Sequence, residues 1–303
     1  MTSAEQPCGF LVLDKPAGLS SHACVGRVRR AYRLKRVGHG GTLDPAVTGV
    51  LPIALGPATR LLPYLNGDKA YRGVVQLGVS TNTDDLEGEV LERNPVPPLS
   101  ASELEAALAP FRGAISQVPP QVSAVHVDGV RAYARVRRGE SLELAARPVT
   151  IHGLELLGWD PTSGQLELEL RCSAGTYVRA LARDLGAALG CGGALARLRR
   201  TEALGFGLEQ AVPLEVLDAG REGGAPPPLL DPLAPLAHLP HHRLSAEEET
   251  GWRCGRAPQL PATLAELTAA TAVVVLDPDG NLAGMARAGE GLLQPKLVLD
   301  AAG

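Results

Sequence analysis

Residues 38–45 read Gly-His-Gly-Gly-Thr-Leu-Asp-Pro, and this stretch constrains the chain more than any other. Pro45 pushes the backbone of Asp44 away from the helical region toward an extended one. Gly38, Gly40 and Gly41 permit tight or positive-φ bends that other residues resist. A rigid, bent loop that projects the Asp44 and His39 side chains is therefore expected. From Lys15 to Leu43 there are seven Lys or Arg residues and no Asp or Glu. A carboxylate at the edge of so basic a run ionises readily, because nearby cations favour its charged form. One reading makes Asp44 a nucleophile that works on a polyanionic substrate. The other makes Asp-Pro a turn between two elements, since such clusters mark turns generally. These residues alone leave both open.

A chain of 303 residues holds one large domain and a small one, or two of medium size. An apolar fraction of 45% excludes a mostly disordered chain. With 29 basic and 33 acidic residues the net charge is −4, so any nucleic-acid surface must be local. Basic residues do gather, at 27–36, 131–138 and 197–200, and only four of the cations are Lys. Arginine grips phosphate with two prongs and stacks on bases. A composition rich in Ala, Gly, Pro and Leu accounts for the same excess without RNA. The five cysteines are scattered and none forms Cys-x-x-Cys, which argues against a disulfide framework and a zinc site. Reduced thiols in the cytoplasm are the expected state. Residues 1–9 lack the pattern of a secretory signal, and no apolar run approaches the roughly 18 residues of a membrane span.

Along the chain, Gly9–Lys15 reads as a buried strand, and Ser20 or Ser21 caps a helix with Cys24, Val28, Ala31 and Tyr32 on its apolar face. Its arginines form either a solvated face or an RNA-facing one. Residues 49–55 read as a core strand, 59–65 as a short helix and 69–79 as an alternating strand. Residues 81–88 form an acidic turn, expected to be an exposed loop. Ser100 and Glu103 fit a capping box that opens a helix to Leu108. Residues 117–126 read as extended and 130–138 as a basic helix. Residues 149–157 and 165–172 pair as strands. Residues 173–179 turn into a helix whose first turn holds Tyr177 and Arg179, and 194–200 continue as a strand. Arg at a helix start opposes the helix dipole, so Arg179 is expected to be held by an anionic partner. Residues 218–240 contain six prolines and read as a connector. Residues 272–287 form a hairpin around Pro278–Asn281, and 295–300 add a strand.

His238, His241 and His242 have neither helical spacing nor a nearby Cys, so no metal site is expected there. The chain has no Gly-x-Gly-x-x-Gly, no Gly-Lys-Ser/Thr phosphate loop, no Gly-x-Ser-x-Gly elbow and no His-Glu-x-x-His. Redox, nucleotide-hydrolysing, serine-hydrolase and zinc chemistries lose their usual anchors. A carboxylate, tyrosines and arginines remain.

Residues 11–21 and 38–52, followed in order by Lys69-Ala70-Tyr71-Arg72, Gly175-Thr176-Tyr177-Val178-Arg179 and Leu198-Arg199-Arg200, resemble the bacterial tRNA pseudouridine-55 synthases. The resemblance runs through essentially the whole chain. It implies an enzyme that isomerises one T-loop uridine of tRNA, breaking the N-glycosidic bond and rejoining the base through carbon. It implies that Asp44 is the catalytic aspartate and that Arg179 pairs with it. Tyr71 would stack on the flipped uracil and is a candidate base. His39 would take part in flipping, with Tyr177, Leu198, Lys15 and Thr42 also on the substrate side. The implied fold is α/β (α+β): a catalytic domain, residues 1–237, with a central mixed, largely antiparallel sheet and flanking helices. A small β-rich PUA-like RNA-binding domain, residues 238–303, would follow. No cofactor and no metal are implied; the partner is the T-arm stem-loop of tRNA, and a monomer is expected. A non-catalytic RNA-binding or tRNA-folding module is the rival reading.

The chain departs from the family pattern in two places. Val122-Ser123-Ala124-Val125-His126 stands where Tyr-Ser-Ala-x-Lys is frequent. His22-Ala23 replaces the acidic or amide residue often found after Ser-Ser. Both put local contacts in doubt.

Overall fold

The computed structural model describes residues 7–299 apart from 124, 128, 133, 134, 136, 137, 139, 141 and 220–223. In chain order come β1 (Gly9–Lys15), α1 (Ser21–Ala31), β2 (Val37–His39), β3 (Thr48–Leu55), β4 (Lys69–Leu77), β5 (Val79–Thr81) and β6 (Val90–Arg93). Then follow α2 (Ala101–Leu108), β7 (Gly113–Gln117), β8 (His126–Val127), β9 (Val130–Arg131), β10 (Arg147–Asp160), β11 (Gln165–Cys172) and α3 (Val178–Ala188). The chain continues through β12 (Gly193–Ala203), β13 (Phe206–Gly207), β14 (Val212–Pro213) and α4 (Val216–Ala219). The tail holds β15 (His241–Arg243), α5 (Ala246–Arg253), β16 (Ala272–Leu276), β17 (Leu282–Gly289) and β18 (Leu292–Val298).

A ten-stranded sheet runs β14-β1-β3-β12-β4-β11-β10-β7, with β2 added to β3 and β13 to β12. Only the β1–β14 and β3–β12 contacts are parallel. The sheet is thus mixed and largely antiparallel. Strands β1 and β3 are apolar and buried along nearly their whole length because both faces are covered there. On β1, Leu11 and Leu13 join a core that includes Cys24 and Val28 of α1, Leu104 and Leu108 of α2, and Leu181 and Leu185 of α3. Phe10 and Val12, one residue out of phase, point to the opposite face. There they join Val50, Ala54, Leu61 and Phe206, together with Val274, Leu276, Met285 and Leu297 of the tail. Each such side chain contributes about 1.5–3 kcal/mol on burial. The tail forms its own four-stranded sheet, β15-β16-β17-β18, and packs one side of it on the back of the large sheet.

Local signals account for several boundaries. Ser20 caps α1, its Oγ accepting from Ala23 N at 3.1 Å. Ser100 and Glu103 form the anticipated capping box, as do Ser245 and Glu248 in the tail. The hairpin of β16 and β17 closes through Asp277 N to Asn281 O at 2.9 Å. The strand expected over 69–79 ends at Leu77, because Gly78 adopts φ +84° and β5 starts anew at Val79. The helix expected over 59–65 is instead two 3₁₀ turns, Gly56–Arg60 and Leu62–Tyr64, each with a proline near its start. Pro63 donates no N–H and clashes with a preceding α-helical turn, so one continuous helix is unavailable. Of the helix expected over 130–138, Val130 and Arg131 belong to β9, and most of the rest lies outside the described residues.

Gly49 allows the one parallel crossing on which the site depends. It has φ +102°, and a Cβ built there would lie 2.1 Å from the Arg200 carbonyl oxygen. Gly49→Ala is expected to destabilise the fold by roughly 3 kcal/mol, combining left-handed strain with overpacking. Denaturant unfolding reads this directly; a midpoint equal to that of the native chain would contradict it.

Candidate active site

The loop between β2 and β3 is fixed from several directions. Ser21 Oγ accepts from Leu43 N at 2.8 Å and donates to Leu43 O at 3.1 Å. Lys15, fully buried, donates to Pro45 O at 3.0 Å and Pro16 O at 2.8 Å. Gly18 N reaches Pro45 O at 2.8 Å, and Gly40 N reaches Pro52 O at 2.8 Å. From β12 the fully buried Arg200 donates to Gly41 O at 3.1 Å and Val50 O at 2.7 Å. Leu43 and Val47 are buried on either side of Asp44. Only the carboxylate is left to project, and its side chain is 46% exposed.

Arg179 comes from the first turn of α3 and is almost fully buried. Its Nε lies 3.0 Å from Asp44 Oδ2 and 3.6 Å from Asp85 Oδ2. Its Nη1 donates to Thr83 O at 2.8 Å and its Nη2 to Val122 O at 2.9 Å. The anionic partner expected from the dipole argument is therefore present, and there are two of them. The acidic turn at 81–88 supplies the second: Asn82, Leu86 and Glu87 are exposed as its composition suggested, while its other side faces Arg179 and Arg183. Thr81 is buried, and Asp84 accepts from Arg183 Nη1 at 2.9 Å. Burying Arg179 and Arg183 demands nearby carboxylates, which draws this turn onto α3. Burial raises the Asp84 pKa even against the pull of Arg183 and Arg179.

Asp44 and Arg179 share a cavity of about 280 Å³ with Thr42, Tyr71, Tyr177 and Leu198. Tyr71 on β4 pairs with Leu170 of β11 and Arg200 of β12, which points it into the site from the sheet. Leu198 overhangs Gly73, where an added Cβ would come within 3.1 Å of its Cδ1. On the other side of Asp44 a groove of about 990 Å³ continues past Arg72, Arg197 and Arg199. Five of the seven sequence-predicted side chains besides Asp44 thus meet at the cavity: Arg179, Tyr71, Tyr177, Leu198 and Thr42. Lys15 lies beneath the loop and His39 lies on β2, both outside that lining. Burial lowers the Lys15 pKa, while Cys24 and Asp44 pull it back up. Among the described residues no three His, Cys, Asp or Glu side chains converge as a metal site would require.

Burial pushes the Tyr71 phenol from 10.0 up to about 12, the adjoining Arg200 guanidinium opposing it. The phenol is therefore neutral at physiological pH: it offers a ring face and a hydrogen-bond donor. A pH consequence follows. Unfolded tyrosine ionises near 10, folded Tyr71 near 12, so the protonated form is favoured by folding. Its stabilisation is complete below pH 10 and is lost between pH 10 and 12. Tyr32, also raised to about 12 by burial, acts in the same window. Tyr71→Phe should lose less stability than the native protein between pH 10 and 12 in denaturant titrations. Identical pH slopes for the two proteins would refute the shift.

Residues 29–178 match the family described as TruB family pseudouridylate synthase, N-terminal domain. Residues 179–235 match the tRNA pseudouridylate synthase B C-terminal domain. A protein of Parasynechococcus marenigrum (strain WH8102) called tRNA pseudouridine synthase B is 63% identical over 298 residues, covering 98% of this chain and 99% of that one. This chain belongs to the TruB family of pseudouridylate synthases. A second relative with the same description, from Synechococcus sp. (strain WH7803), is 62% identical and covers 98% of this chain and 99% of its own. Among solved structures, an H/ACA RNP bound to a substrate RNA containing 2′-deoxyuridine aligns with a TM-score of 0.71 at 22% identity, over 97% of this chain and 86% of that one. An archaeal box H/ACA sRNP Nop10-Cbf5 complex aligns with a TM-score of 0.69 at 24% identity, over 97% and 87%. At such identity these two speak to the fold. As a TruB family member the chain is an isomerase with a pseudouridine-synthase fold.

Sequence reasoning missed Asp85, Thr83 and Gln117. The aspartate had a signal, an acidic cluster facing a chain otherwise rich in Arg at its site. Gln117 had none, because its partner stands 60 residues away.

Proposed function

We propose that this TruB family chain converts the T-loop uridine at position 55 of tRNA to pseudouridine, with Asp44 as nucleophile. The observation that carries the reading is the half-exposed Asp44 carboxylate, 3.0 Å from a buried Arg179, at the wall of a cavity floored by Tyr71 and Leu198. A helix hides both the glycosidic bond and carbon-5, so the uridine leaves the stack at a cost of a few kcal/mol. Stacking on an aromatic ring returns roughly 1–3 kcal/mol per base, and Tyr71 offers that ring. The neutral phenol suits a stacking surface better than a standing base.

In the reaction the N1–C1′ bond breaks, a C5–C1′ bond forms, C5 loses its proton and N1 gains one. Nothing is oxidised or reduced. Asp44, oriented by Arg179, attacks either C1′ or the uracil ring. Arg72, Arg197 and Arg199 line the adjoining groove and contact phosphates, which position the RNA without reading its sequence. His39 assists flipping, and Thr42, Tyr177 and Leu198 enclose the base; Lys15 serves by holding the loop. The protein works as a monomer in the cytoplasm without a cofactor. Residues 1–237 form the catalytic unit, and 238–303 form a PUA-like unit that binds RNA. The test is nucleoside analysis of an unmodified tRNA transcript after incubation with the protein. One pseudouridine at T-loop position 55 is expected; binding without any changed nucleoside would leave the non-catalytic RNA-binding reading in its place.

A further inference from the structure

We infer that Gln117 is a positioning residue that sets Tyr177 and Arg179 against Asp44; the inference rests on the catalytic reading of Asp44. Gln117 ends β7 and is almost fully buried, outside the cavity lining. Its Oε1 accepts from Tyr177 N at 2.8 Å, and its Nε2 donates to Tyr177 O at 3.1 Å. One side-chain amide thus satisfies both backbone groups of one residue, as a neighbouring strand would. That residue is the N-cap of α3, whose own side chain makes no capping bond. The start of this helix decides where two cavity-lining groups stand: Tyr177 itself and Arg179 two residues on.

The chain after Gln117 grips the same helix further along. Val118 O accepts from Arg183 Nη2 at 2.8 Å, and Val122 O accepts from Arg179 Nη2 at 2.9 Å. Between them Pro119 and Pro120 are buried and stiffen the segment. Residues 117–122 therefore form a strap across the first turns of α3, and Gln117 is the only part of it that acts through a side chain hydrogen-bonded to the helix start. Without that amide Arg179 keeps its partners and Tyr177 O keeps the bond from Leu181 N at 3.2 Å, but Tyr177 N loses its partner and the N-cap can shift about the helix start. A displacement near 1 Å at a catalytic group costs about 100-fold in rate.

Gln117→Glu makes the test specific. A protonated carboxyl reproduces one donor and one acceptor, whereas a carboxylate only accepts and faces the Tyr177 carbonyl unfavourably. Steady-state kinetics on tRNA transcript, with Gln117→Ala and Gln117→Glu beside the native enzyme, should show kcat reduced about 10- to 100-fold in Gln117→Ala with KM little changed. The ratio of Gln117→Glu to native kcat should fall as pH rises through the titration of the new carboxyl, a trend that a folding defect alone does not give at constant KM. Native kcat in both variants, a pH-independent ratio, or parallel loss of kcat and rise of KM would each overturn the inference. Should Gln117→Ala fail to fold, the pH series on Gln117→Glu decides alone. A null result with an active native enzyme and an inactive Asp44→Asn removes only the role of Gln117; an active Asp44→Asn removes the catalytic reading beneath it.

Discussion

Asp44→Asn should lose pseudouridine formation by about 10⁴-fold or more, the scale on which loss of a nucleophile is felt. The substitution keeps size and shape, so the loop should survive it. Leu43 stays bonded to Ser21, Pro45 to Lys15 and Gly18, and Gly41 to Arg200. Arg179 keeps Asp85 at 3.6 Å and its two carbonyl partners. The neutral amide is a poor nucleophile, and the Tyr71 phenol, held neutral by burial, does not replace it. Binding of tRNA should persist, because the arginines proposed to contact phosphates lie along the groove rather than at the carboxylate. Thermal unfolding close to that of the native protein, with tRNA retention on a filter and no product, is the expected combination. Turnover comparable to the native enzyme would remove Asp44 from the chemistry.

Arg179→Ala carries the second large effect, and it should appear in both activity and stability. The lost side chain is nearly buried and holds four partners together, from the Asp44 loop, the acidic turn and the strap after β7. Removing one member of a buried ion pair costs about 3–5 kcal/mol, because the remaining charge is left without compensation. Asp85 is mostly shielded and bears that cost fully; Asp44 is half exposed and water relieves part of it. Asp44 also loses the guanidinium that orients it, so a kcat loss of roughly 10²- to 10³-fold is expected, each factor of ten being about 1.4 kcal/mol. Affinity for tRNA should change far less. Arg179→Lys keeps the charge but not the fork to Thr83 O and Val122 O, and should recover only part of the rate. Equal losses in kcat and in affinity, measured on the same preparation, would make Arg179 an ordinary phosphate contact.

What could be foreseen from sequence was what depends on nearby residues. The Asp44 loop follows from glycines and Asp-Pro within eight positions. The caps at Ser20 and Ser100 need only their own first turns, and the hairpin at Pro278–Asn281 needs only its turn residues. The need of Arg179 for an anion was foreseeable because a helix dipole is a local property. The identity of its second anion was not, since Asp85 is brought there by folding across the sheet. The same distance hid Gln117, and the packing of Val274, Met285 and Leu297 against Phe10 and Val12. The 59–65 segment misled because Pro63 forbids a continuous helix there and leaves two 3₁₀ turns. Lys15 lies where its position beside the loop put it, yet its ammonium is spent on two backbone carbonyls rather than turned to the cavity.

The most direct measurement of the central claim is tritium release from tRNA transcript labelled at carbon-5 of uracil, with the native protein and Asp44→Asn in the same assay. Release by the native protein that accompanies one new pseudouridine per tRNA, and none by Asp44→Asn while tRNA is still bound, is the predicted result. Equal release by the two proteins, or no release by the native one, would contradict it.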